Sequence, residues 1–179
     1  MNLKLNMQEI SEDVLVRLAK EVKDEKTIRK LIDCPYYSVI KIIIQKPETS
    51  KAIREEIYSK WRGRADMFYF PRDLAEYQLN AETIHRLTEW CRGYEDLCRL
   101  LVFQEDILLE DLKFIYTTLT AGNLVKEEVT EVLSDMAERD DLDQELMQKL
   151  VDYSPEVAAR VALHHSDVIK VDFSKRQLE

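Results

Sequence analysis

Apolar residues recur along most of this chain at intervals of three and four, the spacing that places side chains on one face of an α-helix. The clearest sets are Ile84 and Leu87, then Val129, Val132 and Leu133, then Leu146 and Leu150, and last Val157 and Val161. The pattern predicts helices that start near positions 11, 25, 36, 48, 80, 94, 106, 123, 141 and 154. Helices this short are unstable alone, so we expect each to pack on its neighbours.

Polar residues of the capping type stand where several of these helices are predicted to start. Asn80, Asn123 and Ser154 are predicted N-caps, since their short side chains can accept a hydrogen bond from a backbone N–H in the first turn. Asp141 with Gln144 three residues later resembles a capping box. These signals agree with the apolar periodicity and predict short helices joined by polar turns.

One apolar stretch, Ser38–Ile44, fits two structures. Its sequence, SVIKIII, is rich in β-branched residues, which favour strands. It also aligns with 157–163, VAARVAL, in the segment that contains AARVALH, which fits a helix. We predict a buried helix here, with a strand as the alternative.

Part of the sequence repeats itself. KLIDCPYYSVIKIIIQK at Lys30–Lys46 aligns without gaps with KLVDYSPEVAARVALHH at Lys149–His165. A third copy runs from Arg86 to Phe103 with a two-residue insertion, and a fourth covers residues 17–32. Each copy combines a short apolar helix, a polar turn and a second short helix. Self-similarity of this kind indicates stacked helical hairpins.

The composition agrees with an all-α fold. The 179 residues include only three glycines and four prolines, whereas an all-β protein needs many tight turns. Apolar residues make up 45% of the chain and charged residues 34%, which is typical of a globular protein. We predict a single helical-repeat domain, 1–179, with an irregular insertion at about 61–73.

The net charge of −9 is unevenly distributed. Residues 1–64 contain 14 basic and 10 acidic side chains, whereas residues 105–152 contain 4 basic and 14 acidic ones. A nucleic-acid binder needs a positive face to neutralise phosphates, and no dense cluster of Lys and Arg is present in the sequence. The charge therefore favours a protein or peptide partner over nucleic acid.

The segment Leu142–Val168 resembles one unit of the bacterial leucine-rich-repeat-variant family, whose units pair a short helix with a longer one across an acidic Ser/Pro turn. Weaker echoes cover 14–60 and 80–104. This family is related in shape to HEAT and armadillo solenoids. The resemblance implies a right-handed superhelix, or α-solenoid, that binds a partner along one surface. Some members carry an iron–sulfur centre on an N-terminal cysteine cluster, which this sequence lacks, so no cofactor is expected.

The best candidate site is the segment Trp61–Asp73, WRGRADMFYFPRD, which interrupts the repeats. Arginine and aromatic side chains together are the composition of interface hot spots, and arginine can bind a carboxylate through two hydrogen bonds. The predicted partner-binding residues are Trp61, Arg62, Arg64, Phe68, Tyr69 and Arg72. The alternative is that the aromatic residues, Phe70 among them, fill a gap in the core. If the segment is a binding surface, its arginines imply a protein or peptide partner that presents acidic or phosphate groups.

Other clusters are weaker candidates. Adjacent His164 and His165 point in different directions on a helix, so with Asp167 they fit a helix end better than a metal site. The acidic run Glu138–Glu145 lacks the glycine and the late glutamate of a calcium loop. Cys91 and Cys98 fit buried free thiols. We therefore predict no metal.

Catalytic motifs such as GxSxG, HExxH or a phosphate-binding glycine loop are absent from the sequence. We therefore favour a non-catalytic interaction module. The alternative is a HEAT-like enzyme or nucleic-acid-processing protein with a basic, aromatic site around Trp61–Arg72, in which Arg54 would join Arg62, Arg64 and Arg72 in one positive groove.

The expected location is the cytoplasm. The sequence has three cysteines without CxxC spacing, which favours a reducing compartment. Its start, MNLKLNMQEISEDV, has no apolar core of signal-peptide length, and no stretch approaches the roughly 20 apolar residues of a membrane helix.

Overall fold

A computed structural model of the chain describes residues 7–64, 69–92, 94–122 and 124–166, and in these ranges all regular structure is helical. The all-α prediction is confirmed. The helices are α1 Glu12–Glu21, α2 Glu25–Leu31, α3 Tyr37–Gln45, α4 Lys51–Trp61, α5 Phe70–Ala75, α6 Ala81–Thr88, α7 Glu95–Val102, α8 Leu109–Ala121, α9 Lys126–Ala137, α10 Gln144–Tyr153 and α11 Pro155–His164.

The predicted helix starts agree closely with the structure. Each of the ten predicted starts lies within three residues of an observed helix start. Ser38–Ile44 belongs to α3, so the helix prediction is confirmed for this β-branched segment. The side chains of Val39, Ile40, Ile43 and Ile44 are all buried, and this burial outweighs their preference for strands. Helix α5 was not predicted, because the sequence pattern there is irregular.

Two of the predicted caps are present. The carboxamide oxygen of Asn80 accepts a hydrogen bond from the N–H of Thr83 at 2.8 Å, and the hydroxyl of Ser154 accepts one from Val157 at 3.2 Å. Each bond satisfies a donor that the first helical turn leaves free. The third predicted cap, Asn123, lies outside the described residues.

The predicted capping box of Asp141 and Gln144 is wrong. The N-cap of α10 is Asp143, whose carboxylate accepts a hydrogen bond from the N–H of Leu146 at 2.8 Å. Asp141 instead forms a two-pronged ion pair with Arg139 at 2.6 and 2.8 Å. Arg139 thus pairs with Asp141, and α10 begins after Asp143.

The chain divides into two compact units, residues 1–83 and 84–179. The single repeat domain stays a prediction. In the first unit α1 packs on α3 and α3 packs on α5, with α2 against both α1 and α3. Leu15, Ile28, Ile40, Ile43 and Ile57 are completely buried in this unit. Alternate helices are thus in contact along the chain.

The second unit has the same order of contacts. Helix α7 packs on α9 and α9 packs on α11, while α8 lies against α7 and α9, and α10 lies against α9 and α11. Leu146 and Leu150 of α10 and Val157 and Val161 of α11 are fully buried, as the sequence predicts. In the described ranges no helix combines the length and the apolar character needed to cross a lipid bilayer.

Side chains from later in the sequence satisfy carbonyl groups at the ends of earlier helices. In the first unit the Lys46 ammonium donates to the carbonyl of Lys20 at 2.9 Å. In the second unit Arg139 donates to the carbonyls of Val102 and Gln104 at 2.7 and 3.0 Å. These contacts supply partners to helix ends that would otherwise leave acceptors free, and they tie helices that are distant in sequence.

Candidate functional site

The candidate segment begins at the last residue of α4, Trp61, which is part of the core. Only 1% of Trp61 is exposed, and its indole N–H donates to the carbonyl of Ile32 at 3.2 Å. The chain leaves the helix at Gly63, whose φ of 89° is readily adopted only by glycine. Trp61 therefore cannot contact a partner directly without a rearrangement, and it acts as a support for the residues above it.

Trp61 belongs to an aromatic cluster formed with Tyr37, Tyr58 and Phe70. The ring centroids of Tyr37 and Trp61 are 6.1 Å apart, those of Tyr37 and Phe70 6.3 Å in an edge-to-face arrangement, and those of Tyr58 and Phe70 6.5 Å with parallel rings. Such pairs contribute about 0.5–1.5 kcal/mol each beyond the area that they bury. The cluster gives this part of the first unit a rigid base.

Two of the predicted arginines lie on this cluster. The guanidinium carbon of Arg64 is 3.8 Å from the ring centroid of Trp61, and that of Arg62 is 6.0 Å from the ring centroid of Tyr58. Both arginines are exposed. A guanidinium that stacks on an aromatic face keeps its N–H groups in its own plane, directed sideways above the ring, where they can bind a carboxylate.

The other predicted residues lie beyond the chain reversal. Tyr69 is 62% exposed and Arg72 is also exposed, and each has a contact within the chain. Phe68 lies outside the described residues. Phe70 is 3% exposed and packs inward. The segment therefore has an inner aromatic side, which fills the core, and an outer side that presents arginines and a tyrosine.

A buried carboxylate, Asp73, holds α5 against α3, and sequence reasoning missed it. The Tyr37 hydroxyl donates to this carboxylate, and the ammonium of Lys41 lies 3.1 Å from it. Burial, followed by the neighbouring Asp73, raises the pKa of Tyr37 far above the ordinary tyrosine value, so its phenol stays protonated. These partners lie 32 and 36 residues from Asp73 in the sequence, so no local pattern predicts the contact.

Arg54 is not part of an exposed basic surface. It is 9% exposed, and its guanidinium donates to the carbonyls of Ile44 and Lys46 at 3.1–3.3 Å while it lies 4.1 Å from the ring centroid of Tyr77. These bonds cap the C-terminus of α3. The positive groove that the enzyme or nucleic-acid alternative requires would therefore have to form without Arg54.

In the second unit, His85 and Asp111 form a pair that sequence reasoning also missed. The His85 Nδ1 lies 2.6 Å from a carboxylate oxygen of Asp111, and the Thr88 hydroxyl donates to the same oxygen at 3.3 Å. The Asp111 side chain is 2% exposed, whereas that of His85 is 54% exposed. Hydrogen bonding to Asp111 raises the pKa of His85 above the ordinary histidine value. This pair fixes the start of α8 to α6.

The remaining sequence candidates serve the fold. The His165 Nε2 lies 3.0 Å from the carbonyl oxygen of Ala137, at the end of α9, where it donates if that nitrogen carries the proton. His164 lies beside Glu138 at 3.9 Å, and Asp167 is outside the described residues. The described part of the chain holds no group of three or more metal-binding side chains.

The thiols of Cys91 and Cys98 are both buried. The Cys98 thiol donates to the carbonyl of Cys91 at 3.6 Å. A hydrogen bond with Cys98, together with burial, raises the pKa of the Cys91 thiol above its ordinary value. A protonated, enclosed thiol is a poor nucleophile and a poor metal ligand, so this pair fits a packing role.

Comparison of the chain with family models, curated proteins and solved structures finds no match. The resemblance to the leucine-rich-repeat-variant family thus stays a prediction. Any functional conclusion has to come from the geometry of the chain itself.

Proposed function

We propose that this chain is a non-catalytic, helical-repeat module that binds a protein or peptide partner with acidic groups. In one unit α1 packs on α3 and α3 on α5, and in the other α7 packs on α9 and α9 on α11. This pattern of contacts between alternate helices supports helical hairpins stacked as in an α-solenoid. In such folds each repeat contacts only its neighbours, and the surface of the stack is free to bind a partner. Right-handed coiling of the stack is part of the proposal.

The binding surface in this proposal consists of Arg62, Arg64, Tyr69 and Arg72, with Phe68 in the same segment. The observation that carries it is the Arg64 guanidinium, held 3.8 Å above the ring of the buried Trp61. Because Trp61 is fixed in the core, the arginine loses less conformational freedom when it binds a carboxylate. Trp61 itself would contribute as the support of Arg64.

The partner follows from the chemistry of this surface. Guanidinium groups bind carboxylates through paired hydrogen bonds, and an exposed tyrosine supplies apolar contact with a polar tip. The alternative, an enzyme or nucleic-acid-processing protein, would use the same arginines, but Arg54 is occupied by the carbonyls of α3. An acidic protein segment requires only the exposed arginines.

The test compares two triple variants of the full chain. The first replaces Arg62, Arg64 and Arg72 with alanine, and the matched control replaces the exposed Arg17, Lys23 and Lys30, which changes the net charge by the same amount. Each protein is immobilised and exposed to native lysate and, separately, to a fluorescent peptide of alternating Glu and Tyr.

The first variant should stay folded with only a modest fall in melting temperature, since exposed charges contribute only about 0–1 kcal/mol each. It should bind the acidic peptide about tenfold or more weakly than the wild type, the size expected for loss of hot-spot residues. Equal binding by the two triple variants would overturn the proposed surface. Two further results would distinguish a protein partner from nucleic acid. Excess single-stranded DNA should not displace the peptide from the wild type, and only the first variant should lose the lysate proteins that the wild type captures.

A further inference from the structure

The second unit contains an open cleft of about 570 Å³ along α8, far in sequence from the Trp61–Asp73 segment. Its volume lies within the range of about 300–1,000 Å³ that is usual for ligand sites. The lining residues are Arg92, Phe114, Thr117, Thr118, Ala121, Gly122 and Leu124. We call this feature the α8 cleft.

Helix α8 has two stripes at helical spacing. Leu112, Ile115 and Leu119 form the inner stripe and are fully or almost fully buried. The second stripe consists of Phe114, Thr117, Thr118 and Ala121, at positions i, i+3, i+4 and i+7, and it lines the cleft. A surface helix normally needs only the inner stripe. The second stripe, with Leu124 beyond the helix end, therefore leaves apolar side chains facing the cleft.

The lining carries a single formal charge, on Arg92. Its guanidinium carbon lies 5.9 Å from the ring centroid of Phe114, and in the described part of the chain no carboxylate lies within ion-pairing distance of it. Residues 105–152, which include α8, have 14 acidic and 4 basic side chains. A partner with a run of acidic residues would be repelled by this surrounding charge, whereas a single carboxylate placed at Arg92 would be attracted.

We propose that the α8 cleft binds a segment of a partner protein that presents apolar side chains and one carboxylate. The apolar side chains lie on Phe114, Ala121 and Leu124, and the carboxylate binds Arg92. The cleft is open along its length, with Thr117, Ala121 and Gly122 exposed, so a small molecule would remain largely in water, while a peptide can cover the whole stripe. This site is independent of the surface in the first unit.

Ala121 and Gly122 have a small side chain and no side chain, respectively, so little of the cleft is filled at the C-terminal end of α8. A Cβ on Gly122 would lie 3.4 Å from the side chain of Leu124 and from the carbonyl of Thr118, which is ordinary contact. Ala121 is exposed at the C-terminal end of the helix. A large side chain at position 121 would therefore occupy the cleft without disturbing the core.

The experiment selects binders from a displayed library of random 12-residue peptides on the full chain. Peptides that also bind the cleft-filling variant Ala121→Trp are removed, so binders of other surfaces are discarded. The matched control is Thr120→Trp, which places the same side chain one residue earlier on the same helix, at an exposed position outside the cleft. Thr117→Trp is a second cleft-filling variant, at another exposed position of the lining, should Ala121→Trp lower the melting temperature.

Retained peptides should combine apolar residues with an Asp or Glu. By fluorescence anisotropy they should bind Ala121→Trp at least about tenfold more weakly than the wild type, and Thr120→Trp within about twofold. Replacement of the peptide carboxylate by the amide should weaken binding about tenfold, as for loss of a charge-assisted hydrogen bond, and Arg92→Glu should select peptides with Lys at that place.

Three results would overturn the proposal. One is that no peptide depends on the cleft, another that the carboxylate and amide peptides bind equally, and the third that Arg92→Glu leaves the preference for acidic peptides unchanged. The triple arginine variant of the first unit should bind the selected peptides like the wild type. The proposal for the α8 cleft and the proposal for the arginine surface of the first unit can therefore be overturned independently.

Discussion

Each unit places an arginine near an aromatic ring, but the two rings differ in how deeply they are buried. In the first unit Arg64 lies 3.8 Å above Trp61, which is buried in an aromatic cluster. In the second unit Arg92 lies 5.9 Å from Phe114, which is half-buried on the wall of an open cleft. The comparison shows that an arginine beside an aromatic ring forms an exposed, charged surface where the ring is in the core, and the wall of a concave, largely apolar cleft where the ring is half-buried.

The largest expected effect comes from truncation of one aromatic side chain in each unit, Phe70 of the cluster that contains Trp61 and Phe114 of the cleft wall. Phe70→Ala removes a side chain that is 3% exposed and should lower the free energy of unfolding by about 3–5 kcal/mol, as loss of a buried aromatic usually does. Phe114→Ala should have a much smaller effect, since its ring already faces the cleft. Urea denaturation of both variants measures the difference. Similar losses would show that Phe114 is as much a core residue as Phe70.

A smaller effect is expected from the buried carboxylate Asp73. The double variant Tyr37→Phe and Lys41→Met removes both groups that contact it. A buried carboxylate without partners should destabilise the protein by about 1–3 kcal/mol. Adding Asp73→Asn, which removes the charge, should recover part of the loss in the same denaturation experiment. A loss that Asp73→Asn does not reduce would count against an electrostatic origin.

Removal of the Arg64 guanidinium should have a still smaller effect on stability. Arg64→Ala should reduce the free energy of unfolding by about 0.5–1 kcal/mol, the usual contribution of an exposed cation over an aromatic ring. Arg92→Ala should change it less, because the 5.9 Å separation from Phe114 is near the limit for such contacts. Chemical denaturation with intrinsic tryptophan fluorescence can follow both, since Trp61 and Trp90 are the two tryptophans of the sequence. The opposite order would contradict the comparison.

The last prediction concerns pH, which should act on the second unit alone through the histidines. All three histidines, His85, His164 and His165, belong to that unit. Asp111 raises the pKa of His85 above 6.5, so the stability that this pair contributes is fully present below the unfolded-state pKa. It is lost as the pH rises through the higher folded-state pKa.

His85→Gln should therefore destabilise the protein more at about pH 5.5 than at about pH 8.5, two values on either side of an ordinary histidine pKa. Denaturation midpoints at the two pH values give the measurement. Tyr37→Phe in the first unit is the control, and its effect should be the same at both, since the pKa of Tyr37 lies above its ordinary value. An effect of His85→Gln that does not change with pH would show that the pair is held by packing alone.

The sequence by itself determined the local structure. Apolar spacing predicted ten helix starts within three residues of those observed, and the alignment of repeats identified α3 as a helix despite its β-branched residues. These features depend on neighbours a few positions apart, which is why they can be read without the fold. The short helix α5 was missed, because its six residues are too few to show a period.

Only the tertiary structure decided which side of the candidate segment faces the core. The sequence grouped Trp61 with Arg62 and Arg64 as one site, yet the indole is buried and the arginines are exposed. The enzyme alternative would join Arg54 to the exposed arginines in one groove, yet the carbonyls of Ile44 and Lys46 at the end of α3 bind its guanidinium. A side chain's exposure depends on which distant helix packs over it, and composition carries no record of that.

The same reason applies to the partners of the buried carboxylates and to the α8 cleft. Asp73 finds Tyr37 36 residues away, and Asp111 finds His85 26 residues away. These separations exceed the length of any described helix, so the contacts are set by how distant helices pack rather than by any local pattern. The sequence determined the helices, and the stacking of those helices determined which charges were buried in pairs and which apolar stripe was left open.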